Sequence, residues 1–75
     1  MNFDIEFEQE TDGRWIAEIC EIPGALAYGV TPMQAGARVK ALALRVLAER
    51  MESETTIPGI NSITFANYYE PLAVN

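Results

Sequence analysis

The sequence contains no histidine, a single cysteine and few basic residues. Its 75 residues carry 11 acidic and 5 basic side chains, which gives a formal net charge of −6. Without histidine, catalysis by an imidazole base is excluded. With Cys20 as the lone thiol, neither an internal disulfide nor one of the usual structural zinc sites can form.

Long hydrophobic runs are also absent. The longest unbroken run is four residues, whereas a membrane-spanning helix needs about 20. Residues 1–6 have neither the basic start nor the apolar segment of a signal peptide. We therefore expect no contact with membranes and a cytoplasmic location, where an unpaired cysteine stays reduced.

Small size and acidity together predict a partner. A chain this short buries about 60–65% of its unfolded surface, and one core of that size supplies about 3–5 kcal/mol. An oligomer or a partner protein is the supplement that remains, because a disulfide and the usual zinc sites are excluded. Phosphate repels an acidic chain, so we expect no direct binding of nucleic acid and favour a basic protein partner.

The charges are distributed unevenly along the chain. Residues 1–21 hold seven acids and one base, whereas residues 31–51 hold four bases and one acid. One interpretation is a solvated sheet face and a soluble helix. The other is an acidic surface that docks on a basic protein, for which Glu8, Glu10 and Asp12 near the first hairpin are the candidate contacts.

The first part of the chain predicts three short strands. Phe3, Ile5 and Phe7 alternate with acidic residues, which predicts a strand. An Asp-Gly pair at residues 12–13 favours a hairpin. Residues 14–22 predict the returning strand, and residues 25–28 a third strand after a Pro-Gly turn. Ile16, Cys20 and Ile22 fall on one face of the second strand, so we expect that face to be covered and Cys20 to be buried.

A helix is predicted from Thr31 to about Met51. Thr31 is placed as N-cap, Pro32 as the first helical residue and Gln34 as the third, which is the capping-box pattern. Two stripes follow at helical spacing. The stripe expected to cover the sheet comprises Ala35, Val39, Leu42, Ala43 and Val46. The second comprises Ala37, Ala41, Leu44 and Ala48; it is either a run of good helix formers or an interface between subunits.

A fourth strand around Ile63 and Phe65 completes the predicted order β-β-β-α-β. We therefore expect the α+β class, with one helix packed on a small antiparallel sheet. Residues 1–66 are predicted to form the domain and residues 67–75 a C-terminal tail.

Four segments occur in an order and spacing that resemble a known family. They are residues 12–18 (DGRWIAE), 22–24 (IPG), 28–31 (YGVT) and 34–35 (QA). Together they are similar to the pattern of the HicB antitoxins of toxin–antitoxin systems, D-G-x-W/Y-x-A, then P-G, then G-x-T-x-x-E/Q-A. The resemblance extends over about residues 3–66.

This resemblance implies a partial RNase-H-like fold and an antitoxin that binds HicA, a small basic RNA-cleaving toxin, and blocks its active site. It also implies a homo-oligomer, commonly a dimer or tetramer. Many relatives carry a C-terminal DNA-binding segment; this sequence ends after the predicted fourth strand and has no base after Arg50, so we expect none here. The alternative is a HicB-like module that only self-associates and has no toxin partner.

The acidic first strand also has to be weighed as part of an enzyme. Asp4, Glu6 and Glu8 share one strand face, but steps of two residues separate them by about 6.6–6.8 Å. No other carboxylate is predicted to converge with them, as a magnesium-dependent nuclease would require. We therefore expect no catalytic residue, no metal site and no cofactor.

Overall fold

The computed structural model describes residues 1–54 and 57–69. The elements are β1 (Asn2–Gln9), β2 (Trp15–Ile19), β3 (Leu26–Gly29), α1 (Pro32–Ser53) and β4 (Thr64–Tyr69). The predicted element order and the α+β class are confirmed. The strand β4 continues through Tyr69, so residues 67–69 belong to the sheet and not to a tail. The rest of the predicted tail, residues 70–75, lies outside the described residues.

The four strands form one mixed sheet in the order β3-β2-β1-β4. β1 and β2 are antiparallel, as are β2 and β3, whereas β4 runs parallel to β1. Our expectation of a wholly antiparallel sheet is therefore wrong for the last strand. The reason is the connection: α1 carries the chain back along the sheet, so β4 starts at the same end as β1, and parallel pairs need such a crossover.

The core lies between one face of the sheet and α1. Alternation in β1 sends Phe3, Ile5 and Phe7 to this face, where they are buried. From the predicted helix stripe, Ala35, Val39 and Ala43 are buried, and Leu42 and Val46 are half-buried. The buried residues of this side of α1 are spaced four apart and include Leu47, which lies outside the predicted stripe. The full buried core comprises Phe3, Ile5, Phe7, Ala17, Ile19, Ile22, Ala25, Ala35, Val39, Ala43 and Leu47.

The helix begins as its sequence predicts. The Thr31 hydroxyl oxygen accepts a hydrogen bond from the Gln34 N–H at 3.1 Å, and Pro32 opens the first turn. The Gln34 side-chain oxygen accepts from the N–H of Val30 at 2.8 Å, one residue before the N-cap. The Thr31 hydroxyl therefore satisfies one of the N–H groups that a helix start leaves free, and the Gln34 side chain reaches back to the residue before the N-cap, as in a capping box shifted by one residue.

Two glycines allow close packing at this junction. A Cβ on Gly29 would lie 2.5 Å from the backbone nitrogen of Ala35, so only glycine lets the end of β3 approach the first turn of α1 this closely. A Cβ on Gly36 would lie 3.1 Å from the ring of Phe7. Gly36 lowers helix propensity by about 1 kcal/mol relative to alanine, and here it makes room for an aromatic ring of the core.

The helix covers only part of the sheet. It packs against β3 and β2 and touches β1 marginally, and within the described residues its backbone makes no close approach to β4. The Lys40 ammonium reaches across to lie 5.6 Å from the centre of the Phe65 ring. A cleft of about 330 Å³ remains between α1 and β4. It is lined by Phe7, Pro32, Met33, Gly36, Ala37, Lys40, Asn67 and Tyr69.

The second strand ends earlier than predicted, and this changes two side chains. β2 stops at Ile19, and the chain then turns: the Ile22 N–H donates to the Ile19 carbonyl at 3.2 Å, and the Ala25 N–H donates to the Ile22 carbonyl at 3.1 Å. This turn brings Ile22 into the core, whereas Cys20 is exposed. The expectation that Cys20 is buried is therefore wrong. No helix among residues 1–54 and 57–69 combines the length and hydropathy that a bilayer crossing requires.

Candidate partner-binding surface

The sheet face that points away from α1, here called the open face, has no other element of the described chain packed on it. Strand alternation and the strand registers determine which side chains it presents. They are Asp4, Glu6, Glu8, Ile16, Glu18, Leu26, Tyr28, Ala66 and Tyr68, with Cys20 just beyond the end of β2. This face combines all four acids of β1 and β2 with exposed apolar groups.

Two carboxylates face each other at the centre of the open face. Glu6 of β1 is the direct cross-strand partner of Glu18 of β2. Ligand atoms of Glu6, Glu18 and Cys20 all lie within 4.8 Å of one another. The expectation that no other carboxylate converges with those of β1 is therefore wrong. Like charges directly opposite each other destabilise a sheet, so this pair favours a cation on its outer side.

A shallow depression lies between these carboxylates and their apolar neighbours. Its volume is about 60 Å³, and it is lined by Glu6, Phe7, Glu8, Ile16, Glu18 and Leu26. Pockets for small-molecule ligands are typically about 300–1,000 Å³, so this depression has room for the end of a side chain only. Its acidic rim and apolar wall match a long basic side chain, which combines an aliphatic stem with a cationic head.

The predicted contact residues divide between the open face and the hairpin. Glu8 lies exposed on the open face, opposite Ile16. Glu10 and Asp12 lie in the loop between β1 and β2, outside the strands. The Asp12 carboxylate accepts hydrogen bonds from the Arg14 N–H at 3.1 Å and from the Arg14 Nε at 2.8 Å. These bonds, with the backbone N–H of Arg14 as the main cause, lower the pKa of Asp12.

Asp12 of the hairpin thus already forms an ion pair with Arg14, and the acids of the open face form none with a residue of the described chain. Arg14 also lies over the Tyr28 ring, with its guanidinium carbon 4.7 Å from the ring centre. Within the described residues Asp12 has the only ion pair, and Glu6, Glu8 and Glu18 have none. The surface most available to a cation is therefore the middle of the sheet, with Glu8 as the predicted residue that belongs to it.

The end of β2 contributes a thiol and a further acid to the open face. Both carboxylate oxygens of Glu21 accept from the Asp4 N–H, at 3.0 and 3.3 Å. Partial loss of hydration, and then the negative charges of Glu6, Glu18 and Glu21, raise the pKa of the Cys20 thiol. Glu6, Glu18 and Cys20 are the one group in the described part of the chain with metal-ligand spacing. All three are exposed, and a raised thiol pKa opposes the thiolate that a metal would bind.

The second helix stripe lies on the side of α1 away from the sheet. Ala37 and Ala48 are exposed, Leu44 is 47% exposed, and Ala41 is half-buried. The stripe is therefore accessible, and its role as an interface between subunits stays a prediction.

The position of Glu18 opposite Glu6 is what sequence reasoning missed. Which residue of β2 faces Glu6 depends on the number of residues in the hairpin loop that remain outside the ladder. Read as a two-residue turn, the Asp-Gly pair would place Ile19 opposite Glu6. The loop instead has three residues, 11–13, and this shifts the register by one residue and brings Glu18 opposite Glu6. Comparison with known proteins adds no relative: no family model matches this chain, and neither a curated protein nor a solved structure shows a significant match.

Proposed function

We propose that this protein is an antitoxin that acts by binding, without catalysis of its own. It docks on a small basic toxin of the HicA type and covers the toxin's RNA-cleaving site. Support comes from two sources: the ordered sequence segments that resemble the HicB antitoxins, and an open sheet face whose charge and shape suit a basic protein.

The observation that carries the proposal is the Glu6–Glu18 pair. Two carboxylates held opposite each other lower the stability of the sheet, and in the described residues no basic group offsets them. A lysine or arginine from a partner placed between them would turn this repulsion into attraction. Such charge complementarity speeds encounter and fixes orientation, and it adds affinity where the pair becomes desolvated.

The neighbouring apolar groups support the same conclusion. Leu26 and Tyr28 are among the exposed large hydrophobic residues, and Ile16 is half-buried. Tryptophan, tyrosine and arginine dominate the energetics of protein interfaces, whereas scattered surface acids contribute little by themselves. The open face offers an apolar patch next to its acids, which a binding surface requires.

The test is co-expression with the product of the neighbouring gene, which this proposal requires to be a small basic protein. We expect the pair to co-purify and this protein to restore growth of cells that express the basic one. The double substitution Glu6→Lys with Glu18→Lys should weaken binding about 30-fold or more, because charge pairs buried at interfaces are worth about 2 kcal/mol or more. Glu49→Lys with Glu52→Lys makes the same charge change on α1 and should bind like the original chain.

Three outcomes would contradict the proposal. They are the absence of any complex or growth rescue, equal loss of binding in the open-face and control variants, and chelator-sensitive RNA cleavage by this protein alone. Each variant is first checked by circular dichroism, so that a loss of folding is not counted as a loss of binding.

A second candidate function is a self-associating HicB-like module without a toxin partner. The observation that favours it is the uncharged outer strand β4, which is exposed along most of its length. In the same experiment this module would form a homo-oligomer and fail to bind or neutralise the basic neighbour. A single co-purification experiment therefore distinguishes the two candidate functions.

A further inference from the structure

We propose that two copies of this chain associate through the outer edges of their β4 strands. The two strands run antiparallel about a two-fold axis at Asn67, and the sheet continues from one copy into the other. This inference concerns a different surface from the open face and does not depend on a toxin partner.

The backbone groups of β4 point alternately toward β1 and away from the sheet. The Thr64 N–H donates to the Met1 carbonyl at 2.9 Å, so Thr64 directs its N–H toward β1. Backbone groups alternate along a strand, and Ala66 and Tyr68 therefore also point toward β1. Phe65, Asn67 and Tyr69 direct their N–H and C=O groups outward. No strand of the described residues lies beyond them, because β4 is the last strand in the sheet order.

Among the residues that the structure describes, nothing protects the outer edge of β4 in the usual ways. Exposed edge strands of natural proteins carry lysine, proline or inward-pointing charges, or are covered by a helix or loop. The sequence of β4, TFANYY, has no charge and no proline, and the backbone of α1 stays away from it. Tyr68 and Tyr69 are 55% and 56% exposed. An edge of this kind is a template for another strand.

The distribution of charge favours a second copy of this chain as the occupant of the edge. The chain has a net charge of −6, its open face is acidic and its helix surface is basic, so most pairings of two identical surfaces bring like charges together. Strand β4 itself has no charged residue, and the Lys40 ammonium reaches its Phe65 ring from the α1 side of the sheet. The helix stripe does not share this property, since Arg38, Lys40 and Arg45 flank it. A two-fold interface places the same surface on both copies, and the uncharged edge is the one suited to that.

The positions of the outward backbone groups determine the register of the two strands. With Asn67 on the axis, Phe65 lies opposite the partner's Tyr69, and each Asn67 lies opposite the partner's Asn67. All of these residues have outward backbone groups, so they become the hydrogen-bonded pairs of an antiparallel ladder. Ala66 then lies opposite the partner's Tyr68 on the open-face side. Aromatic cross-strand pairs and a small residue beside a large one favour this alignment.

The main test is Asn67→Pro compared with Asn67→Ala. Proline removes the outward N–H of Asn67 and leaves the bonds between β4 and β1 in place, because proline is tolerated at outward positions of edge strands. By sedimentation equilibrium we expect the original chain and Asn67→Ala to have twice the monomer mass, and Asn67→Pro to have the monomer mass. Leu44→Glu should remain a dimer; a monomer there would assign the interface to the helix stripe and overturn the proposal.

Amide hydrogen exchange of the unmodified chain is a second test, and it needs no variant. In the dimer the N–H groups of Phe65, Asn67 and Tyr69 should exchange more slowly as protein concentration rises. Those of Ala66 and Tyr68 should be protected at every concentration, because they bond to β1. A monomeric original chain at all concentrations, or exchange at Asn67 that ignores concentration, would overturn the proposal.

Discussion

Helix α1 covers the strands β2 and β3 and leaves the outer strand β4 uncovered. These two parts of the sheet are called here the covered half and the bare half. Under α1, Ile19 of β2 is 1% exposed and Val39 of the helix is fully buried against the sheet. At the other edge, Tyr69 of β4 stacks on Phe7 with ring centres 4.7 Å apart and is still 56% exposed. The described residues form one helix, and this helix packs against only part of the four-stranded sheet. The difference shows where the fold is complete and where a partner can add stability.

The sharpest comparison between the halves is Ile19→Ala against Tyr69→Ala. We expect Ile19→Ala to lower the free energy of unfolding by about 2–5 kcal/mol, because it leaves a cavity under the helix. Tyr69→Ala removes an aromatic pair at a solvated edge, and in the monomer it should cost about 0.5–1.5 kcal/mol. Urea denaturation at low protein concentration measures both.

If Tyr69→Ala costs as much as Ile19→Ala in the monomer, the bare half is part of the core and the comparison fails. A loss for Tyr69→Ala that grows with protein concentration would instead indicate that the edge is covered by a second copy. Val30→Ala is the matched control, since Val30 is 72% exposed and lies outside the sheet and helix.

A smaller effect is expected at the junction that defines the covered half. Gly29→Ala places a Cβ 2.5 Å from the Ala35 backbone nitrogen, and relieving that overlap should cost about 1–3 kcal/mol. Gly36→Ala gains about 1 kcal/mol of helix propensity, but its Cβ lies 3.1 Å from the Phe7 ring. The two effects oppose each other, so Gly36→Ala should change stability by less than Gly29→Ala. Thermal unfolding of both variants checks the order, and equal losses would contradict it.

Local signals in the sequence account for most of the fold. The alternation of apolar and acidic residues predicts the buried face of β1, and the Thr31-Pro32 pair predicts the start of α1. Apolar residues spaced three and four apart predict most of the buried side of this helix. Each of these features depends on neighbours in the sequence, so each can be read without knowledge of the rest of the chain. The α+β class follows from the order of the elements.

The features that sequence reasoning missed depend on long-range geometry. The parallel pairing of β4 with β1 follows from where the helix returns the chain. The burial of Ile22 in place of Cys20 follows from the early end of β2 and the turn after it. For the candidate site, the sequence predicts Glu8 as a contact but not the pair Glu6 and Glu18, because their pairing depends on the hairpin register.

The smallest predicted effect uses Cys20 as a reporter of charge on the uncovered open face. Local desolvation and the carboxylates of Glu6, Glu18 and Glu21 raise the pKa of its thiol above the usual 9.0. The thiolate is the form that reacts with iodoacetamide, so alkylation of this exposed thiol near pH 8 should be slower than that of free cysteine. The rate should rise with pH through a midpoint above 9.0.

Removing a nearby negative charge should reverse part of this shift. Glu6→Gln lowers the pKa of Cys20 toward 9.0, which increases the thiolate fraction at pH 8 and speeds alkylation by less than tenfold, since tenfold corresponds to about one full pKa unit. Glu52→Gln on α1 is the matched control and should leave the rate unchanged. Equal rates in Glu6→Gln and the original chain would mean that the carboxylates on the open face do not act on the thiol, and that the face presents less negative potential to a basic partner than its geometry indicates.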